Sequence, residues 1–174
     1  MIILGLDPGS RITGYGLIDN QPGRMSYIHS GHIRVQGDNI SERLGYIFQQ
    51  VSAVIEQYQP QQMGIENVFM SRNADSALKL GQARGAAICA AHQAGLGVAE
   101  YAPKEIKKFI VGKGAASKEQ VQHMVRHLLL LTHKLQADEA DGLAIAICHA
   151  QFSTMAQKTG LALKSLKHRR SSMR

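Results

Sequence analysis

Residues 2–10 read IILGLDPGS, a short apolar run that ends abruptly in a turn. Two β-branched side chains in five residues are typical of a buried strand, and Asp7-Pro8-Gly9 is a strong turn signal. Aspartate is depleted in strands, so an acid directly after a buried strand is unusual. We therefore predict a first strand over residues 2–6, and we take Asp7 as the first candidate for a functional residue.

The residues that follow this turn continue in β-type composition. Two such segments, residues 15–18 and 25–35, are separated by the turn-forming sequence DNQPG at 19–23. Short strands joined by a turn of this kind pair as a hairpin. We predict that the first three strands form an antiparallel meander.

Beyond residue 35, helical periodicity alternates with short apolar segments. The predicted elements are a helix over 41–58, a strand over 63–65 ending at Glu66, a helix over 74–94, a strand over 97–101, and helices over 103–111, 117–131 and 137–151. Ser41 is the expected cap of the first helix. This order predicts an α/β fold in which helices flank a mixed sheet of about five strands. We expect one domain over residues 1–157 and a flexible basic tail over 158–174.

Positive charge is concentrated in two parts of the chain, which carries 20 Lys and Arg against 13 Asp and Glu. Six of these cations and no acid lie in residues 158–174. Five more lie in residues 104–118, where the only acid is Glu105: Lys104, Lys107, Lys108, Lys113 and Lys118. Clustered cations favour polyanions, because binding releases the counterions condensed on a phosphate backbone. The charge pattern indicates a nucleic-acid partner.

Two other features of composition bear on location. No apolar stretch approaches the ~18 residues that a bilayer span needs, and no basic leader precedes Asp7. We expect a soluble cytoplasmic protein with no membrane association. Cys89 and Cys148 lie in Ala-rich helical patterns without metal-ligand spacing, so we expect both to be small buried side chains.

Three further acids occupy positions comparable to that of Asp7. Glu66 ends the fourth strand, so the two carboxylates lie close together if the first and fourth strands are neighbours. Asp138 and Asp141 are spaced i, i+3 and share a helical face that continues into apolar residues. For that helix alone, an ordinary explanation is that acids complement the positive end of the helix dipole.

A cluster of carboxylates at low dielectric persists only if cations neutralise it, because the charges repel one another. An all-oxygen donor set favours Mg²⁺ or Mn²⁺ over zinc. Two such ions about 3.5–4 Å apart can activate a water and stabilise the leaving oxygen during phosphodiester cleavage. Carboxylates and a basic surface together predict a metal-dependent nuclease.

Three blocks of sequence carry a family resemblance: LGLDPGSRITGYG at 4–16, IENVFMSRNADSALKLGQARG at 65–85 and QADEADGLAIAICHA at 136–150. Their order and spacing closely resemble the RuvC family of bacterial Holliday junction resolvases. The resemblance implies an RNase H-like fold, a homodimer, and Mg²⁺-dependent symmetric nicking of two opposed strands of a four-way DNA junction near a short thymine-containing consensus. It also implies a role in recombination and repair, and cooperation with the branch-migration proteins RuvA and RuvB.

The resemblance also implies roles for individual residues. It places the catalytic and metal-binding acids, holding two ions per subunit, on Asp7, Glu66, Asp138 and Asp141. It places a junction-contacting aromatic on Phe69 and basic DNA contacts on Lys107 and Lys118. Glu139 departs from the family pattern, which has a small residue there, and we expect its side chain to face outward.

Some neighbouring residues have two interpretations. Arg72 and Arg84 are candidates for phosphate contacts, although a solvated helix face explains them equally well. Phe69 can stack on an unpaired base or act as a hydrophobic staple for the helix that follows it. The helix over 74–94 is rich in Ala and Gly, which suits a dimer interface and equally suits core packing.

Two other function classes account for part of the same sequence. The turn at 7–10, with Gly14 and Gly16, resembles the phosphate-binding turn of actin-like and Hsp70-like ATPases, but those enzymes close two domain-sized lobes on the nucleotide. A chain of 174 residues is too short for two such lobes. A non-catalytic DNA-binding module gains nothing from four acids beside DNA phosphates.

Overall fold

The computed structural model describes residues 1–68 and 73–159. Within them, one mixed sheet contains β1 (Ile2–Asp7), β2 (Ile12–Gln21), β3 (Arg24–Arg34), β4 (Gln62–Glu66) and β5 (Gly97–Tyr101). The helices are α1 (Ile40–Tyr58), α2 (Ala74–Gln93), α3 (Pro103–Val111), α4 (Lys118–Leu128) and α5 (Ala137–Thr159). Phe69, Arg72 and most of the predicted basic tail lie outside the described residues.

The strand order across the sheet is β3-β2-β1-β4-β5. β1 pairs antiparallel with β2, and β2 with β3, as the turn signals predict. β4 lies parallel to β1, with Leu6 opposite Ile65, and β5 lies parallel to β4. The first and fourth strands are therefore neighbours, and they end at the same edge of the sheet.

Helices cover both faces of this sheet because successive side chains of a strand point to opposite sides. Leu4 and Leu6 of β1 belong to the core cluster on the side of α1 and α2. Ile3 belongs to the cluster on the other side, which includes residues of α3, α4 and α5. Among the described residues, no helix combines the length and the apolar character that a membrane span requires.

α5 lies directly on β1 and β2 because glycines remove the side chains that would separate them. A Cβ added to Gly5 would lie 2.2 Å from the carbonyl oxygen of Gly142, far inside van der Waals contact. A Cβ added to Gly142 would lie 2.4 Å from the carbonyl carbon of Tyr15. The helix backbone and the sheet backbone are therefore in direct contact.

The cap of α1 and the ends of α4 and α5 differ from those predicted. α1 is capped by Asn39, whose Oδ1 accepts a hydrogen bond from the Glu42 amide at 3.0 Å, so the choice of Ser41 was wrong. α4 ends at Leu128 because Leu130 adopts a positive φ of 53°. α5 continues to Thr159 because its buried face extends through Phe152.

The two cysteines have different environments. Cys148 is buried within α5, as predicted. Cys89 is exposed, so the prediction for it was wrong. The buried positions of α2 are Ala83, Ala87, Ala90 and Ala91, and Cys89 lies on the opposite face.

Candidate active site

The predicted acids meet at one edge of the sheet. Asp7 is the last residue of β1, and Glu66 is the last residue of the parallel neighbour β4. Gly14 pairs with Asp7 across β1 and β2, and a Cβ on Gly14 would lie 2.1 Å from the carbonyl oxygen of Asp138. The first turn of α5 therefore lies over the end of β1. Because β1 and β4 are neighbouring strands, Asp7 and Glu66 meet the condition that the sequence left open.

Glu139, rather than Asp138 or Asp141, caps the start of α5. Its Oε2 accepts a hydrogen bond from the Gln136 amide at 3.1 Å. The side chain is half-buried and turned back along its own helix, whereas we expected it to face outward. Glu139 thus satisfies one amide at the start of α5, in the same first turn as Asp138.

Burial, and secondly the charges of neighbouring acids, raise the pKa values of three of the carboxylates. Burial raises the pKa of Asp7 to about 7, and the charges of Asp141 and Asp138 add to the effect. Burial likewise raises the pKa of Glu66 to about 8, with further contributions from Asp7 and Asp141. The pKa of Asp141 is also raised, chiefly by burial. The edge thus holds more negative charge than it can solvate, which favours a bound cation.

Two of the predicted basic residues partly offset this charge. Lys118 begins α4, and its Nζ lies 3.8 Å from Asp141 Oδ2. Its charge lowers the pKa values of Asp7, Glu66 and Asp141, and Lys107 of α3 lowers those of Glu66 and Asp141. The side chain of Lys118 is 71% exposed, so it lies at the rim of the acidic cluster rather than inside it.

A cavity of about 220 Å³ opens beside these acids. It is lined by Asp7, Pro8, Glu66, Asn67, Val68, Leu80 and Pro103. Sequence reasoning did not identify Asn67 or Leu80 as part of the site; the position of Asn67 directly after Glu66 is the only signal that could have done so. The predicted contacts at Phe69 and Arg72 lie outside the described residues.

The chemistry of the four acids fits a hard divalent cation. All four offer carboxylate oxygens, the donors that Mg²⁺ and Mn²⁺ prefer, and burial, with the charges of neighbouring acids, raises the pKa values of Asp7, Glu66 and Asp141. Across residues 1–68 and 73–159, no three His, Cys, Asp or Glu side chains already form a metal-holding group. Metal binding therefore requires the side chains of the acids to rotate toward one another, from backbone positions that are already adjacent.

Arg84, a predicted phosphate contact, is engaged inside the protein. Its Nε donates to the carbonyl oxygen of Glu66 at 3.2 Å, and its Nη2 donates to Asn67 Oδ1 at 3.1 Å. The same Nη2 lies 2.9 Å from Glu100 Oε1, and the side chain is 19% exposed. The guanidinium thus contacts the strand end that carries Glu66.

Comparison with known proteins agrees with this geometry. The family model described as crossover junction endodeoxyribonuclease RuvC matches residues 3–149. The chain is 54% identical to the crossover junction endodeoxyribonuclease RuvC of Psychromonas ingrahamii over 169 residues, which cover 97% of this chain and 98% of that protein.

Solved structures show the same relationship. A Thermus thermophilus RuvC structure has a TM-score of 0.81 at 32% identity, covering 90% of this chain and 97% of that chain. A structure of T. thermophilus RuvC in complex with Holliday junction substrate has a TM-score of 0.80 at 30% identity, covering 89% and 96%. The predicted RNase H-like sheet is confirmed, and the chain belongs to the crossover junction endodeoxyribonuclease RuvC family.

Proposed function

We propose that this chain is a structure-selective endonuclease that resolves four-way DNA junctions, in recombination and repair, by symmetric nicking of two opposed strands near a short thymine-containing consensus. The observation that carries the proposal is the edge of the sheet where β1, β4 and α5 place four acids beside Lys107 and Lys118. Family membership supports the assignment of these acids to a nuclease site.

The acids divide the work with the lysines. Asp7, Glu66, Asp138 and Asp141 hold two Mg²⁺ ions, for which Mn²⁺ can substitute. When bound, such ions activate a water and stabilise the leaving oxygen in phosphodiester hydrolysis. Lys107 and Lys118 hold the phosphate backbone at the rim of the same site, and Arg72 adds a phosphate contact.

Lys118 is suited to respond to both kinds of anion. Its Nζ lies 3.8 Å from Asp141 Oδ2, and its side chain is largely exposed. Ser117 and Gln120 form a capping box at the start of α4, so the backbone of Lys118 is held while its side chain is free to turn. Bound cations would weaken the attraction of Lys118 to Asp141, and the charge of Lys118 would then be available to a phosphate.

Phe69 supplies the proposed contact with an unpaired base. It follows Asn67 and Val68, which line the cavity beside Asp7 and Glu66. Stacking of a base on an aromatic ring contributes ~1–3 kcal/mol, and it tolerates different bases because each has a π-face.

A homodimer is the economical assembly, since a junction offers two equivalent strands and each protomer supplies one site. The outer face of α2 is the proposed interface. Leu78 is 62% exposed there, and a Cβ added to Gly81 or Gly85 would meet no atom within 4 Å. Ala87 is fully buried, so it belongs to the core and not to this face.

Light scattering tests the interface. Gly81→Glu should shift the protein toward monomer, because it places a charge in the proposed contact without a clash in the protomer. Gly97→Glu adds the same charge at an exposed strand position with equal space and should leave the assembly unchanged. A folded dimeric Gly81→Glu variant would exclude this face.

The resemblance also supports RuvA and RuvB as partners and the bacterial cytoplasm as the location.

The direct test of the activity is incubation of the protein with a four-way junction and with linear duplex of the same sequence, each in Mg²⁺ or EDTA. We expect paired symmetric nicks in the junction, in Mg²⁺ only. Glu66→Gln should abolish them, whereas Glu56→Gln, at an exposed position on α1, should not. Equal cleavage of duplex and junction would refute the proposed selectivity.

A further inference from the structure

Arg84 fastens three elements of the protein together at the end of β4. From α2, its guanidinium reaches the Glu66 carbonyl and the Asn67 side chain, and it forms an ion pair with Glu100 of β5. Each donor–acceptor distance lies between 2.9 and 3.2 Å, within the ordinary range of hydrogen bonds. One side chain therefore connects α2 to β4 and to β5.

The segment that Arg84 holds is the one that carries a proposed metal ligand. On the β5 side, the backbone N–H of Asn67 donates a hydrogen bond to the carbonyl oxygen of Tyr101 at 2.8 Å. This bond extends the pairing of Glu66 with Tyr101. On the α2 side, Arg84 Nε donates a hydrogen bond to the carbonyl oxygen of Glu66, the last residue of β4. The backbone that carries Glu66 is thus held from two directions.

The contacts of Arg84 also limit its use elsewhere. Its charge is paired with Glu100, and the side chain is 19% exposed. Lys79 lies on the same helix with its side chain 55% exposed, and it forms a surface ion pair with Asp75. A phosphate contact by Arg84 would have to break contacts that hold the site, whereas Lys79 faces no such requirement.

We propose that Arg84 is a positioning residue, which orients Glu66 for metal binding through the Glu66 carbonyl and Asn67. The inference rests on the proposed four-carboxylate site. The planar fork of arginine serves several acceptors at once, and an ammonium group on a flexible stem does not reproduce that geometry. Outer partners that orient a metal ligand typically change metal affinity by about 10- to 100-fold when they are removed.

The test measures Mn²⁺ binding to DNA-free protein by calorimetric titration, with junction affinity measured separately in EDTA. Arg84→Gln should weaken Mn²⁺ binding by about 10- to 100-fold. Its junction affinity in EDTA should change no more than that of Lys79→Gln, which removes one cation from the same helix. Arg84→Lys retains the charge and should fail to restore Mn²⁺ affinity. A melting curve establishes that each variant is folded.

Two outcomes overturn the inference alone. One is wild-type Mn²⁺ affinity in a folded Arg84→Gln variant, and the other is full recovery by Arg84→Lys, which would show that charge suffices. Loss of junction affinity in EDTA with unchanged Mn²⁺ binding would make Arg84 a phosphate contact instead. Absence of Mn²⁺ binding by the wild-type protein would overturn the carboxylate site itself, and the positioning role with it.

Discussion

Replacing Gly14 by alanine should move the first turn of α5 away from the sheet and thereby disable cleavage. The added Cβ would lie 2.1 Å from the carbonyl oxygen of Asp138 and 3.1 Å from its Cα. Carbon–oxygen contacts relax at about 3.3 Å, so the backbone at Asp138 must retreat by about 1 Å. The neighbouring atoms are backbone, so no side-chain rotation can absorb the clash.

The magnitude follows from that displacement. Misplacing a reacting group by about 1 Å costs about 10²-fold in rate, and overpacking a well-packed core typically costs about 1–3 kcal/mol of stability. We expect single-turnover nicking of a four-way junction in Mg²⁺ to fall about 100-fold in a protein that melts several degrees lower but remains folded. Junction binding in EDTA should persist, because no basic side chain has changed.

Gly97→Ala is the matched control for this substitution. Gly97 also lies in a strand, but a Cβ added there would meet no atom within 4 Å. Its nicking rate and melting temperature should equal those of the wild type. A folded Gly14→Ala variant that nicks at the wild-type rate would show that the distance between α5 and β2 does not control the chemistry.

Three further predictions concern the acids, the aromatic and the tail. Asp7→Asn should abolish nicking yet keep junction binding, and in metal-free buffer it should raise the melting temperature. Because burial and neighbouring acids raise the pKa of Asp7 from 3.8 to about 7, the folded protein loses stability as the pH rises between these values. The gain of the Asn variant should therefore be absent below pH 3.8 and complete above pH 7, and a uniform drop across this range would instead indicate structural hydrogen bonds. Phe69→Ala should impair nicking more than Phe69→Trp at unchanged stability, since stacking needs only a π-face; a large loss of melting temperature would favour the staple. Truncation after Gln157 removes six cations and should flatten the dependence of log affinity on log salt for all DNA, with the preference for junction over duplex retained. Loss of that preference would show that the tail recognises DNA structure.

The strands and the acids were predictable because each has a local signal. The run at 2–6 and its turn are visible in the sequence, and the register of β1 with β4 then brings Asp7 and Glu66 to one edge. Whether those strands pair is a property of the whole sheet, so the sequence could state it only as a condition. The resemblance to family motifs, rather than periodicity, led to the prediction that these acids belong to one site.

The faces of α2 and the role of Arg84 were not predictable in the same way. Nine of the 20 residues of α2 are Ala or Gly, and residues this small give hydrophobic periodicity little contrast between the buried face and the exposed one. Ala87 is buried and Cys89 is exposed, but the sequence around them shows no contrast that would predict this difference. The partners of Arg84 lie on β4 and β5, so its internal contacts depend on tertiary packing that no local pattern records.

The packing of α5 also determines where its acids point. The carbonyl of Asp138 lies against Gly14, and Gly142, next to Asp141, lies against the backbone of Tyr15. Two backbone contacts about one helical turn apart fix both the height of α5 above the sheet and its rotation about its own axis. Since Asp138 and Asp141 share one face, fixing that rotation aims both carboxylates at the end of β1. The glycines of β2 and α5 therefore position the proposed active site, although none of them carries a functional group.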